Sequence, residues 1–361
     1  MEPAIPMLDE EKEYTIDSSL LDTPIGAATR REILAEFWGA SRLQRLNGLE
    51  VDLEPYWSYY GKECSHALHE EGRHVAARYH RDIIEIVRQL KGGVLRQDVK
   101  AGLRSKLTVL HANEDEMLDN SINLAAGLLL MIDFGGFSYG FSGKTELEWK
   151  DAPLVDFLED YFCDDSVLAH ERVKLEKNFT ARNLGRIAGV EIVWTDNLID
   201  HLRMTDDDTR IHIFHHASFL ETQRKSSDSM LPSGLAEETI QTLALLFPST
   251  DPELKKWFAK LPASPHLDRR VIQCGRLKTD HRQIERFSFW RDRLVTLKQV
   301  FDEAQPKTLS QWWHDRRNGV QWYTFWVAVL VLVLTIVFGL IQSIEGALQV
   351  YASFKALKNP G

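Results

Sequence analysis

Cysteine is scarce and poorly placed for a disulfide framework: Cys64, Cys163 and Cys274 are widely spaced and odd in number. That pattern reads as a chain kept in a reducing compartment. The first residues, Met1-Glu-Pro-Ala-Ile-Pro-Met-Leu-Asp-Glu-Glu-Lys, offer neither a basic stretch nor an apolar core, so no secretory signal is expected. Positive charge is short as well. The formal net charge is -10, and the acidic excess falls wholly within the first 280 residues. Residues 281–317 hold eight Lys or Arg against five Asp or Glu, and 318–361 hold Lys355 and Lys358 against Glu345. An acidic body excludes nucleic acid as a partner, since that binding needs a basic face to displace counterions. Internal repeats and low-complexity tracts are absent too. Between Arg317 and Glu345, charge of either sign disappears altogether.

What fills that interval is hydrocarbon, from Trp322-Tyr-Thr-Phe-Trp-Val-Ala-Val to Phe338-Gly-Leu-Ile341. A helix rising about 1.5 Å per residue crosses a bilayer core of roughly 30 Å with about 20 such residues. One transmembrane helix is therefore expected over 320–344, followed by a short tail, 345–361, and the lipid bilayer is the first expected partner. Trp312, Trp313, Trp322, Tyr323 and Trp326 suit a headgroup boundary, where a ring buries its body and keeps its N–H wet. Thr335 and Gly339 offer a weak small-residue face for helix pairing. The spacing of Ile344, Leu348, Tyr351, Phe354 and Leu357 suggests a helix continuing along the surface as an amphipathic tail. Lys307, Arg316 and Arg317 stand just before the span, and positive residues prefer the cytoplasm. The body is expected in the cytosol, inserted after synthesis like a tail-anchored protein. The sequon Asn178-Phe-Thr180 is then unused; occupied, it would reverse the orientation.

The expected fold is mainly α with a small β element, an α+β soluble body whose long amphipathic helix leads into the membrane span. Residues 1–50 read as a mixed, poorly ordered N-terminal segment and 51–278 as the body, with a small sheet near 187–216. Helical spacing joins Val75, Tyr79, Ile83, Ile86, Val87 and Leu90, on a run from about His66 that Gly92-Gly93 stops. Further helices are expected over Leu95–Leu110, Glu114–Met131, Leu154–Phe162, Leu235–Phe247 and Glu253–Leu261. Gly135 to Gly143 reads as a loop. Alternation marks strands at 190–195 and 210–214, with a short helix from Asn197 to Met204 and a polar turn at Asp206-Asp-Asp-Thr209 between them. Ile284, Phe287, Trp290, Leu294, Leu297 and Phe301 draw a narrow stripe within 279–317. It suits self-association or a protein partner through 284–301, and packing back on the body accounts for it equally well.

Three constellations touch on chemistry. Gly143-Lys144-Thr145 resembles the end of a phosphate loop, and Asp196 follows a strand as a magnesium-holding aspartate does; but the first glycine of the pattern is replaced by Ser138 and Pro153 comes too soon for a full helix. A surface loop is the plainer reading. Cys64, His66, His69, Glu70, His74 and His80 have spacings found in zinc helices, without the His-Glu-x-x-His interval. Asp196, Asp200 and His201 lie near His212, His215 and His216, as acid–base work requires, although His212 and His215 point to opposite strand faces. Ser218 sits in no nucleophile elbow. No residue is assigned as catalytic, cofactor-binding or metal-ligating, and no cofactor is expected.

Phe289-Trp-Arg-Asp-Arg-Leu-Val-Thr-Leu, Gln311-Trp-Trp-His-Asp-Arg-Arg317, Gln321-Trp-Tyr-Thr-Phe-Trp326 and the earlier Ile192-Val-Trp-Thr-Asp-Asn-Leu-Ile-Asp-His-Leu202 resemble a family of uncharacterised membrane proteins from filamentous fungi. The resemblance covers roughly 110–355 and implies a soluble body with a C-terminal membrane segment, without an activity. A long helix entering a span is also distantly similar to CorA-like magnesium channels, but the Gly-Met-Asn signature and a second span are missing. The leading expectation is a non-enzymatic interaction or scaffold protein. The alternatives are an oligomeric ion transporter and a membrane-tethered metal- or nucleotide-dependent enzyme using Asp200, His201 and His212.

Overall fold

The computed structural model describes residues 16–39, 52–107, 113–135, 145–150, 152–163, 173–262, 266–304, 311 and 319–358. The chain forms two compact units, Met1–Gly185 with Val190–Glu303, and Arg186–Gly189 with Ala304–Gly361. The architecture is mainly helical with one small sheet.

The first unit opens with α1 (Ala27–Trp38), α2 (Glu54–Ala67), α3 (His69–Gly72), α4 (His80–Lys91), α5 (Arg96–Arg104) and α6 (Glu114–Leu130). Local chemistry fixes their ends. Asp82 accepts the N–H groups of Arg78 and Tyr79 at the start of α4, and Gly93, at φ 72°, lets the chain turn after it. Glu114, Asp115 and Glu116 place negative charge on the positive end of α6. These helices differ from the sequence expectation in two respects. α1 lies inside the segment read as poorly ordered, yet Ile33, Phe37 and Trp38 are buried. The run from His66 to Leu90 is not one helix, because α2, α3 and α4 are separate elements and Tyr79 is extended.

Rings knit this part together. Trp38 meets Tyr56 and Phe219 edge-on at 4.9 and 5.4 Å between centroids. The polar ends of those rings are satisfied by α6: Trp38 Nε1 donates to the Leu129 carbonyl at 3.1 Å and Tyr56 OH to that of Leu128 at 2.8 Å.

After α7 (Leu154–Phe162) and the single turn α8 (Ala181–Asn183) comes the sheet, β1 (Glu191–Thr195), β2 (Met204–Thr205) and β3 (Arg210–Phe214), in the order β1-β3-β2. β1 pairs parallel with β3 from Glu191 opposite Arg210 to Thr195 opposite Phe214, and β2 pairs antiparallel with β3. The expected helix after Asn197 is only a 3-10 turn, Leu198–Asp200, because Met204 and Thr205 are drawn into the ladder. The turn back uses three consecutive left-handed residues, Asp206, Asp207 and Asp208, at φ 53°, 52° and 60°, a region where Asp is tolerated better than most side chains.

α9 (Ala217–Lys225), α10 (Leu235–Leu246), α11 (Pro252–Ala259) and α12 (Arg291–Glu303) complete the unit. The long amphipathic helix expected from Ile284 to Phe301, within 279–317, begins only at Arg291; Thr279–His281 and Ile284–Arg286 are 3-10 turns. Glu238 of α10 accepts the N–H groups of Ser288 and Trp290, both at 2.8 Å, and so anchors the approach to α12. Ile284, Phe287, Trp290, Leu294, Leu297 and Phe301 are all at most 2% exposed. The stripe is body core, which is the packing account of it. Pro306, Lys307 and 312–317, including Trp312 and Trp313, lie outside the described residues.

The second unit contains α13 (Gly319–Lys358), a continuous helix of 40 residues. Its apolar side chains are exposed, Leu332 and Phe338 each 60% and Leu340 59%. Trp322–Lys355 is the one stretch among the described residues long and apolar enough to cross a membrane.

Candidate functional site

Because β1 and β3 are parallel and in register, the residues that follow them leave the sheet at the same end. Asp196 follows Thr195, and His215 and His216 follow Phe214. The carboxyl ends of neighbouring parallel strands are where such sheets gather functional groups. Here Oδ1 of Asp196 accepts from Nε2 of His216 at 2.8 Å and lies 3.2 Å from Nε2 of His215. Its Oδ2 faces Nζ of Lys62, from α2, at 3.3 Å. The two imidazoles stack with centroids 4.1 Å apart. Both rings are buried, and the Asp196 side chain keeps 18% of its surface exposed. Burial alone would raise the Asp196 carboxyl, but hydrogen bonds from His215 and His216 outweigh it and hold it well below the usual range. Burial, with His215 adjacent, pushes His216 down to about 3.

Asp196, His215 and His216 are the group among the described residues whose ligand-type atoms converge, all within 4.8 Å. Whether they fit a metal turns on tautomers, which follow from the hydrogen-bond network. A metal-bound imidazole offers a bare nitrogen to the ion and gives the N–H of its far nitrogen to an acceptor. The far nitrogen of His215 meets a donor instead, the Asp268 backbone N–H at 3.3 Å from Nδ1. Nδ1 is thus the bare nitrogen, and Nε2 carries its proton toward Asp196. The Nδ1 of His216 is buried without a hydrogen-bond partner, so a proton there would be unsatisfied. Both rings are arranged as donors to one carboxylate, which does not match a coordination sphere. An acid–base relay is equally ill served, because the far nitrogen must reach substrate and both are enclosed.

Asp268, which sequence reasoning did not single out, completes the arrangement. It is 2% exposed, and its Oδ2 accepts both the N–H and the hydroxyl of Ser218 at 2.6 Å, while Oδ1 accepts the N–H of Arg270 at 2.9 Å. One carboxylate thereby caps α9 from a remote segment. No spacing in the sequence ties 268 to 218.

Asp200, His201 and His212 are not brought together as a working set. Asp200 is fully buried, forms an ion pair with Arg203 whose Nε lies 2.7 Å away, and accepts the Thr145 N–H at 3.2 Å and Asn197 Nδ2 at 3.2 Å. His201, also fully buried, accepts the Phe214 N–H on Nδ1 at 3.2 Å and has Thr242 Oγ1 2.7 Å from Nε2. Burial, reinforced by Arg293, brings it down to about 3. His212 pairs instead with Thr205 Oγ1 at 3.1 Å. Each is satisfied locally.

The earlier candidates part in the same way. Cys64 and His80 are buried, with His80 Nδ1 2.9 Å from the Tyr60 hydroxyl, whereas His66 and His69 face solvent. Burial raises the Cys64 thiol and lowers His80 to about 4. Gly143 and Lys144 lie outside the described residues. Thr145 is tied by its backbone to Asp200 and Asn197, and Asp196 is engaged by two histidines.

No family model matches this chain, and no curated protein or solved structure does.

Proposed function

We propose that this is a single-pass membrane protein whose acidic body faces the cytosol and serves non-enzymatic protein contacts, in line with its resemblance to the filamentous-fungal family. The observation that carries the membrane reading is α13, whose apolar side chains stand exposed along a helix bearing no charge between Gly319 and Ile344. Inside lipid, a helix satisfies its own backbone polar groups. Its 40 residues span about 60 Å, roughly twice a hydrocarbon core. The charge-free stretch 319–344 suffices to cross, and Glu345 onward emerges on the other side.

Three features support a cytosolic body. Cys64, Cys163 and Cys274 are all free thiols. Lys307, Arg316 and Arg317 precede the span. The sequon is partly folded inward, with Phe179 fully buried, Thr180 3% exposed and Asn178 half-buried. The non-enzymatic reading rests on Asp196, His215 and His216, whose polar atoms hold one another instead of facing a cavity.

Carbonate washing of membranes from cells making the full chain tests the anchor: the protein is expected in the pellet, and release without detergent overturns it. Protease added to intact organelles should digest the body; protection overturns the cytosolic placement.

A further inference from the structure

We propose that the cleft framed by residues 176–177, 248–252 and 276–282 binds a small anion carrying two or more phosphate groups. Its rims are fixed by backbone hydrogen bonds. The Leu175 N–H donates to the Arg282 carbonyl at 2.9 Å, that of Ile284 to Val173 at 3.0 Å, and that of Ser249 to Gly275 at 2.8 Å. The cleft encloses about 570 Å³, within the usual range for small-molecule sites.

Four cations line it: Lys177, Arg276, Lys278 and Arg282. None of them makes a side-chain hydrogen bond or ion pair among the described residues, and Nε of Arg282 is buried without a partner. Many other cations of the unit are paired, as in Arg88 with Glu36, Arg96 with Asp119 and Arg270 with Glu221, and what sets these four apart is that they share one cleft. The two carboxylates at the cleft are already engaged. Asp251 accepts the N–H groups of Glu253 and Leu254 as the cap of α11, and Glu176 lies 3.7 Å from Lys298. Four cations against two carboxylates leave the lining net positive, within a body that carries a large acidic excess.

Guanidinium forks match the paired oxygens of a phosphate, and lysines add point charges. The hydroxyls of Thr250 and Thr279 supply neutral donors at the same walls. A single phosphate underfills such a volume. No aromatic ring lines the cleft among the described residues, so a nucleobase finds nothing to stack on. The fit is to pyrophosphate or to a phosphorylated polyol, whether free or as the headgroup of a lipid.

The test uses the full chain in phosphatidylcholine nanodiscs, titrated calorimetrically with inorganic pyrophosphate and with inositol trisphosphate. A parallel arm compares melting in nanodiscs with and without a phosphatidylinositol phosphate. Binding of either soluble probe, weakened about tenfold or more by Arg276→Gln with Lys278→Gln and unaffected by Lys255→Gln with Lys256→Gln, supports a free ligand. A melting rise confined to the phosphoinositide discs, and lost in the same cleft variant, supports the headgroup. No heat and no melting shift with any probe overturns the proposal, as does equal binding by wild type and the Arg276/Lys278 variant. The cleft residues substituted are exposed, and the Lys255/Lys256 variant controls for loss of charge alone.

Discussion

Asp268 donates its backbone N–H to Nδ1 of His215 at 3.3 Å, and that contact decides which nitrogen of the ring carries the proton. With Nδ1 bare, Nε2–H points at Asp196, and His216 does the same from the adjacent position. Three groups with the right elements for a metal are thereby committed to one another. The expectation is that the full chain, purified without chelators, retains no stoichiometric zinc and gains no thermal stability when zinc is added. One equivalent retained, and lost in His216→Ala, would place a metal there after all.

Removing the charge that organises this cluster has a definite cost. Asp196→Asn keeps the size but weakens the acceptor for two buried rings and leaves Lys62 without its ion pair. A loss of about 1–3 kcal/mol is expected, read as a lowered denaturant midpoint with an unchanged slope. A neutral result would mean that the hydrogen bonds contribute nothing net.

Acid should loosen the body in two stages. His201 and His216 are held near 3, and His80 near 4, chiefly by burial. Each stays neutral when folded and gains a proton on unfolding below its ordinary value of about 6.5. Their contribution is therefore complete above that value and declines as pH falls, by up to about 1.4 kcal/mol per pH unit for each group. Asp196 has a depressed folded value, so its contribution persists above the ordinary carboxyl value of about 4 and declines only below it. Melting of the full chain at stepped pH should fall first between about 6.5 and 5. His80→Gln should flatten that first stage, since His80 Nε2 is buried without a partner.

Charge placed in the stripe should unfold the body instead of separating oligomers. Leu294 and Leu297 are fully buried, so Leu294→Asp with Leu297→Asp puts two carboxylates into the core at a cost of several kcal/mol. Loss of the cooperative melt is the expected reading. A folded, newly monomeric protein would instead return the stripe to an interface.

The membrane reading predicts that Val331→Arg with Leu334→Arg turns a carbonate-resistant protein into an extractable one. Each arginine near a span centre costs about 2.5–3.5 kcal/mol on an insertion scale. Retention in the membrane pellet would mean that another segment anchors the chain.

The parts legible in the sequence were those carried by local pattern. α6, α7, α10, α11 and both main strands lie where periodicity, capping and proline put them, within a residue or two. The start of α12 was not legible, because Ile284, Phe287 and Trp290 at intervals of three suit 3-10 turns as well as a helix. What decides between them is Glu238, far away in the chain, holding the Ser288 and Trp290 amides. Asp196, His215 and His216 were each visible as candidates, but their meeting depends on β1 and β3 pairing parallel, and no local signal encodes that register. The grouping of Asp200, His201 and His212 failed for the opposite reason: near neighbours in sequence, they are claimed by separate partners in three dimensions.

α13 runs without a break from Gly319 to Lys358. Set across a bilayer as proposed, a rod longer than the hydrocarbon core would turn the thickness of the host membrane into an angle or a protruding length. A thick, sterol-rich bilayer would draw Ile344 and its neighbours inward and stand the rod upright, while a thin one would tip it over or push the Tyr351–Phe354 stretch out into water. Lipid composition would then set the posture of this terminus without any ligand being bound.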